Sequence, residues 1–153
     1  MGWFMTVGNY CERELALLTR DASLQEAAML MRNHHVGEVI VVDKLHGQNI
    51  PIGVVTDRDL VIEIMALEVD IEQINVGHIM GLDLITVRED YSLSETLDIM
   101  QQHGVRRLPV VNSDGILSGL IDMDLILKVL CQDLGKMLAL IHTERTIEKT
   151  LRA

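Results

Sequence analysis

The chain has 153 residues, 48% of them hydrophobic but only 3% aromatic, which suits one compact domain with an aliphatic and methionine core. Its formal net charge of −10 argues against a nucleic-acid or anionic-membrane surface, because both reward clustered Lys and Arg. The sequence lacks the run of about 18 apolar residues that a membrane helix needs. Two isolated cysteines, Cys11 and Cys131, favour reduced thiols and a cytoplasmic location.

The elements follow the same order twice along the chain, because residues 7–43 are repeated without a gap in residues 76–112. After a short deletion, residues 53–56 match residues 119–122. A repeat of this length is a domain-sized unit, so we expect a pseudo-twofold pair with a cleft between its halves. The predicted divisions are 1–70 for the first repeat with its N-terminal segment, 71–131 for the second repeat and 132–153 for a helical tail.

Each copy begins with a short apolar run of strand length and continues with capping side chains and a helical period. Two strand-like runs joined by a turn and a second helix complete a β-α-β-β-α unit. The predicted fold is therefore α/β (α+β), with a helical C-terminal extension from residue 131. Gly135 is the predicted position of a helix break in this extension. The predicted strands are 15–18, 39–42 and 52–55, then 84–87, 108–111 and 116–121; the second helices are 57–67 and 122–130.

Three segments resemble the signature of CBS domains: GVVTDRDL at 53–60, VGEVIVVD at 36–43 and HGVRRLPVV at 103–111. The tandem arrangement resembles a Bateman module, and the resemblance covers roughly residues 5–131. It implies a regulatory sensor that binds an adenosine-containing ligand (AMP, ADP, ATP, NAD or S-adenosylmethionine) between its repeats and has no catalytic cofactor. It further implies a homodimer formed through the CBS helices and an unidentified protein target.

The first copy has the features of a nucleotide site. Thr56 ends a strand and can cap the next helix, whose free N–H groups favour a phosphate. Asp59 lies within one helical turn of Thr56, where it can accept hydrogen bonds from a ribose diol. The alternative is purely structural: Thr56 as an N-cap and Asp59 as a complement to the helix dipole.

The resemblance assigns further residues to this site. It implies phosphate or ribose contacts for Thr56, ribose contacts for Asp59 and a place beside the base for Val54. By pseudosymmetry, the opposite wall comes from the second copy, and strand alternation lets only one of its two arginines face the cleft. The opposite wall comprises Val105, Arg106 and Arg107; Arg58 and Arg107 are the expected phosphate ligands, and Leu93 helps to close the adenine pocket.

The second copy departs from this pattern. Asp122 stands in place of the hydroxyl residue, and Leu125 stands in place of the ribose-binding Asp. Deleting one residue from the turn would instead put Asp124 at the ribose position. Either alignment leaves a carboxylate at the helix start, so we expect one working site per chain. The second cleft would be formed by Asp122, Leu125, Val36, Gly37 and Glu38.

Other functional classes find less support in the sequence. The six histidines show no metal-ligand spacing, and the sequence contains no GxSxG, P-loop or GxGxxG motif, so neither a metal site nor enzymatic activity is expected. No basic recognition helix for DNA is present. The remaining alternative is a structural dimerisation module without a physiological ligand.

Overall fold

The computed structural model describes residues 6–81 and 83–152. Residues 1–5 of the predicted first division, and Ala153 of the predicted tail, lie outside the described part. The first repeat contains α1 (Val7–Tyr10), β1 (Leu17–Leu18), α2 (Leu24–His34), β2 (Glu38–Leu45), β3 (Gln48–Thr56) and α3 (Asp57–Asp59), which continues as a π-helical segment, Leu60–Met65. The second contains α4 (Val76–Ile79), β4 (Val87–Arg88), α5 (Leu93–His103), β5 (Arg107–Val111), β6 (Leu117–Asp122) and α6 (Met123–Leu151).

The two repeats form two three-stranded sheets of the same topology. In each sheet the first strand runs parallel to the second, which pairs antiparallel with the third. Both sheets carry a register shift within the second strand, at Val41/Val42 and at Val110/Val111. The predicted β-α-β-β-α class is therefore confirmed. The first strand of each repeat is shorter than predicted: the paired residues are Leu17 and Leu18 in the first repeat, and Val87 and Arg88 in the second, where only Val87 belongs to the predicted run.

Helices α2 and α5 begin and end in the same way, which explains why the sequence located them well. Ser23 and Ser92 each form a reciprocal capping box with a glutamate three residues later. His35 and Gly104 adopt left-handed backbone conformations, with φ of 54° and 65°, directly after these helices. Serine at the start and a left-handed residue at the end thus set the length of both helices.

The N-terminal helix of each repeat packs against the other repeat. Val7 of α1 is buried in the core of the second repeat, and its N–H donates to Tyr91 O at 2.8 Å. Val76 of α4 is buried in the core of the first repeat, and its N–H donates to Ala22 O at 2.9 Å. This exchange ties the two halves into one module and positions the segments that follow α1 and α4.

Helix α6 is continuous from Met123 to Leu151, so the predicted break at Gly135 was wrong. A glycine inside a helix costs only about 1 kcal/mol relative to alanine, and good helix formers flank it on both sides. Ile126 and Val129 anchor the first part of the helix in the core, whereas its apolar residues from Leu134 onward are exposed. None of the helices in residues 6–81 and 83–152 has the length and hydropathy to span a bilayer.

Candidate functional site

The main cavity, so named because it contains Thr56 of the predicted site, lies where the end of β3 meets the second repeat. Its volume is about 460 Å³, within the range of small-ligand sites. Val54 and Thr56 supply the first-repeat wall, and residues from the start of β5 and the start of α6 supply much of the rest. The lining comprises Glu38, Val54, Thr56, Gly81, Asp83, Leu84, Ile85, Val105, Arg106, Arg107, Leu108, Pro109, Asp122, Met123 and Asp124.

The structure brings together five of the eight residues predicted for the site. They are Val54, Thr56, Val105, Arg106 and Arg107, all in the lining of the main cavity. The other three predicted residues do not line it. Leu93 is buried in the core of the second repeat, where it holds α5. Arg58 is exposed and also lies outside the lining.

Asp59 does not line the cavity, but it is hydrogen-bonded to Thr56, which does. The backbone N–H and the hydroxyl of Thr56 both donate to Asp59 Oδ2, at 2.8 Å each. The N–H of Asp59 returns a hydrogen bond to Thr56 Oγ1 at 3.2 Å. This is a complete capping box, so the structural role proposed for these two residues is present in the fold. It also fixes the Thr56 hydroxyl at the cavity wall.

The expected free N–H groups at the start of α3 are not free. The N–H of Asp57 donates to Gly37 O at 2.9 Å. That of Arg58 donates to Asp57 Oδ1 at 2.7 Å, and that of Asp59 donates to Thr56 Oγ1. The sequence argument for a phosphate on these groups was therefore wrong, because the Asp57 side chain and the Gly37 carbonyl already satisfy the donors that the cap leaves over.

Both arginines of the second-repeat wall face the main cavity, contrary to the expectation that alternation would exclude one. The reason is that β5 begins at Arg107, so Arg106 precedes the strand and does not follow its alternation. Each guanidinium pairs with a carboxylate. Arg106 Nη2 lies 3.3 Å from Asp124 Oδ1, and Arg107 Nη1 lies 3.5 Å from Glu38 Oε2.

Sequence reasoning missed the wall that follows α4. Gly81, Asp83, Leu84 and Ile85 line the main cavity, whereas the sequence assigned Leu84 and Ile85 only to a strand. The signal that could have found this wall is the glycine at 53. A Cβ there would lie 2.9 Å from Met80 Sδ and 3.0 Å from Gly81 O, so glycine permits the close approach of this segment.

Glu38 is a largely buried ionisable residue of the cavity lining, with 12% of its side chain exposed. Burial raises the pKa of its carboxyl group, and Arg107 opposes that shift while Asp122 and Asp57 add to it. Its Oε1 atom is buried and has no hydrogen-bond partner among the described residues. Glu38 lines both this cavity and the next.

A second cavity of about 490 Å³ is the pseudosymmetric counterpart of the first. It contains Val36, Glu38 and Asp122 of the predicted second cleft, but Gly37 and Leu125 are absent from its described lining. Leu125 instead packs against the core of the second repeat. Asp122 caps α6 by accepting the N–H of Leu125 at 2.6 Å. The remaining lining residues are Glu12, Glu14, Leu15, Ala16, His34, Ile40, Arg107 and Leu120.

Asp124 does not lie where the alignment with one residue deleted from the turn would put it, at the ribose position of the second cleft. It lines the main cavity through its pairing with Arg106, and it does not line the second one. No group of three or more His, Cys, Asp or Glu side chains suitable for a metal ion occurs in the described part of the chain.

Comparison with known proteins agrees with this architecture. The CBS-domain family model matches residues 7–66 and 76–132. An uncharacterized protein of Methanopyrus kandleri is 34% identical over 125 residues, which are 82% of this chain and 62% of that protein. The chain thus spans less than two thirds of that relative. The CBS domain-containing protein YhcV of Bacillus subtilis is 33% identical over 103 residues, 67% of this chain and 70% of YhcV.

Solved structures share the fold. CBSX2 in complex with AMP has a TM-score of 0.70 at 26% identity, covering 83% of this chain and 96% of that one. The CBS domain pair of protein MJ0100, in complex with 5′-methylthioadenosine and S-adenosyl-L-methionine, has a TM-score of 0.70 at 21% identity, covering 85% of this chain and 98% of that one. With two matched repeats that together occupy most of its length, the chain belongs to the CBS-domain family as a tandem pair.

Proposed function

We propose that this chain is a regulatory module that binds one adenosine-containing ligand in the main cavity between its repeats. The observation that carries the proposal is the meeting of Thr56 with the segment from Val105 to Arg107 across a cavity of ligand size. Ligand-binding modules are favoured here over structural ones because a cavity with converging polar groups is the usual form of a small-molecule site.

The ligand class follows from the relatives. CBSX2 was solved with AMP, and the MJ0100 pair with two adenosyl compounds, all in the same fold. In the proposed complex, Val54 and Val105 contact the adenine, and the Thr56 hydroxyl contacts the ribose. Asp59 either reaches the ribose or positions Thr56 for it. Arg106 and Arg107 flank the 5′ end, and Arg58 and Leu93 act at most indirectly.

One site per chain remains part of the proposal. At the position equivalent to Thr56, the second repeat has Asp122, whose carboxylate caps α6 and lines both cavities. The second cavity also has Glu12, Glu14 and Glu38 in its lining. The described lining of this cavity contains no hydroxyl side chain equivalent to Thr56, and its carboxylates repel anionic ligands in addition.

The proposal also covers how the chain assembles and whether it is catalytic. We expect a cytoplasmic, non-catalytic protein that dimerises through its helices and passes the bound state to a protein target. Exposed apolar side chains on the π-helical segment and on α6 support a helix-mediated contact. The same residues favour the alternative of a purely structural dimerisation module. They include Val61, Met65, Leu127, Leu134 and Met137.

A thermal-shift panel separates the two functions. AMP, ADP, ATP, NAD, S-adenosylmethionine and 5′-methylthioadenosine are each added to the intact chain, with guanosine as the control. A ligand present at 100 times its dissociation constant adds about 2.7 kcal/mol to the free energy of unfolding. For a domain of this size that raises Tm by roughly 5–10 °C. A shift with at least one adenosyl compound is expected; no shift with any would leave only the structural module.

A further inference from the structure

We propose that the main cavity selects adenosyl ligands with a neutral or cationic 5′ substituent over those with a polyphosphate, and that Glu38 is a specificity-determining residue. This inference rests on the proposed function, because it concerns the ligand of the same site. It is carried by three features of the cavity: the charge of its lining, the occupation of its donors and the position of one unpaired carboxylate oxygen.

The lining carries more negative than positive charge. Among the described residues it includes two guanidinium groups, from Arg106 and Arg107, and four carboxylates. The carboxylates therefore exceed the cations by two in a partly enclosed space, where Coulomb interactions are several times stronger than in bulk water. A triphosphate would bring further negative charge into this field. The carboxylates belong to Glu38, Asp83, Asp122 and Asp124.

Both guanidinium groups already lie beside a carboxylate. Arg106 is held 3.3 Å from Asp124, and Arg107 is held 3.5 Å from Glu38. A phosphate would share these guanidinium groups with the carboxylates, whose negative charge opposes its binding. Sites that bind polyphosphates usually offer guanidinium or ammonium groups for direct pairing with the phosphate oxygens.

Most of the backbone N–H groups at the two helix starts are already engaged. The N–H groups of Asp57, Arg58 and Asp59 at the start of α3 are already hydrogen-bonded, as is that of Thr56. At the equivalent end of β6, the N–H of Met123 donates to Arg106 O at 2.9 Å, and that of Leu125 donates to Asp122. Anion sites at helix starts depend on free N–H groups, and these groups are engaged.

Glu38 favours ligands that carry a positive charge at the 5′ position. Its Oε1 atom is buried without a hydrogen-bond partner among the described residues, although the side chain reaches both cavities. An unpaired buried carboxylate oxygen is costly, and a positive charge on a ligand in the adjoining cavity lowers that cost through its electric field. Asp57 and Asp122 face the same carboxylate from neighbouring elements and reinforce the negative field.

The test compares four ligands that share adenosine and differ at the 5′ position. Isothermal titration of the full chain, without divalent cations, measures Kd for 5′-methylthioadenosine, S-adenosylmethionine, AMP and ATP. We expect ATP to bind at least tenfold more weakly than 5′-methylthioadenosine, with AMP between them. In Glu38→Gln, which removes one negative charge at nearly constant shape, the ratio of the ATP and S-adenosylmethionine dissociation constants should fall by about threefold or more. Glu95→Gln, an exposed carboxylate of α5, is the matched control and should leave the ratio unchanged.

Each outcome has a distinct meaning. ATP binding as tightly as 5′-methylthioadenosine would overturn the charge selection while leaving the proposed function intact. An unchanged ratio in a folded Glu38→Gln variant would overturn the role of Glu38. A folded chain that binds none of the four compounds, and none of the other adenosyl compounds of the thermal-shift panel, would contradict the proposed function itself and this inference with it.

Discussion

Replacing Asp59 by Ala is expected to weaken binding of the adenosyl ligand by at least about tenfold. A hydrogen bond to a charged group contributes about 1.5–3 kcal/mol, and 1.4 kcal/mol corresponds to a tenfold change in Kd. Asp59 Oδ2 accepts two hydrogen bonds from Thr56 and so orients the Thr56 hydroxyl at the cavity wall, whereas Asp59 itself lies outside the lining. The substitution also releases the Thr56 hydroxyl from its fixed orientation. Titration with 5′-methylthioadenosine measures the loss.

The matched control for this variant is Glu95→Ala. Glu95 closes the same type of capping box in α5, where it accepts from the Ser92 N–H at 2.8 Å and from Ser92 Oγ at 2.7 Å. Both variants should lose about 1 kcal/mol of stability through the cap. Only Asp59→Ala should lose affinity. Equal affinities in the two variants would mean that Thr56 and Asp59 serve the fold alone.

Gly119→Ala is expected to destabilise the protein by about 2 kcal/mol, a typical cost of overpacking. A Cβ at this position would lie 2.5 Å from Cys11 Sγ and 2.7 Å from Glu12 O. Glu12 and Leu120 exchange two backbone hydrogen bonds at 2.8 and 2.9 Å, so the added methyl would push the N-terminal segment off β6. Urea unfolding should show a lower midpoint at an unchanged m-value.

Gly135→Ala is the contrasting variant. Gly135 lies inside α6, and apart from the adjoining helix no described atom lies within 4 Å of a Cβ built on it. The change should therefore stabilise the chain by up to about 1 kcal/mol through helix propensity. If Gly119→Ala were as stable as the unmodified chain, the close pairing of the N-terminal segment with β6 would be disproved.

Much of the fold could be predicted because its signals are local. The sequence contains a signal for each element at the place where that element forms. These signals are the serine caps with a glutamate three residues later, the alternating strands and the turn at residues 112–115. Because the sequence is repeated, most of these signals occur once in each half of the chain. The exchange of α1 and α4 between the repeats was not predictable in this way, because their burial depends on contacts with residues that are distant in sequence, such as Tyr91 and Ala22.

The site was predictable only where a wall consists of a single motif. Val54, Thr56 and the 105–107 segment were identified, since each belongs to a recognisable stretch. The Asp83–Ile85 wall was missed because its position depends on the exchanged α4. The pairing of the α3 N–H groups was missed for a related reason. The Gly37 carbonyl, which accepts the N–H of Asp57, lies just before β2 and is distant from α3 in sequence. Sequence motifs show which groups are available, whereas tertiary contacts decide which of them are already used.

The central claim is that one adenosyl ligand binds between Thr56 and the Val105–Arg107 wall of each chain. Isothermal titration of the full chain with 5′-methylthioadenosine tests it most directly, since the titration reports affinity and stoichiometry together. We predict a single class of sites with one ligand per chain, and loss of that binding in Asp59→Ala. Two ligands per chain, or no binding by any of the adenosyl compounds, would contradict the claim.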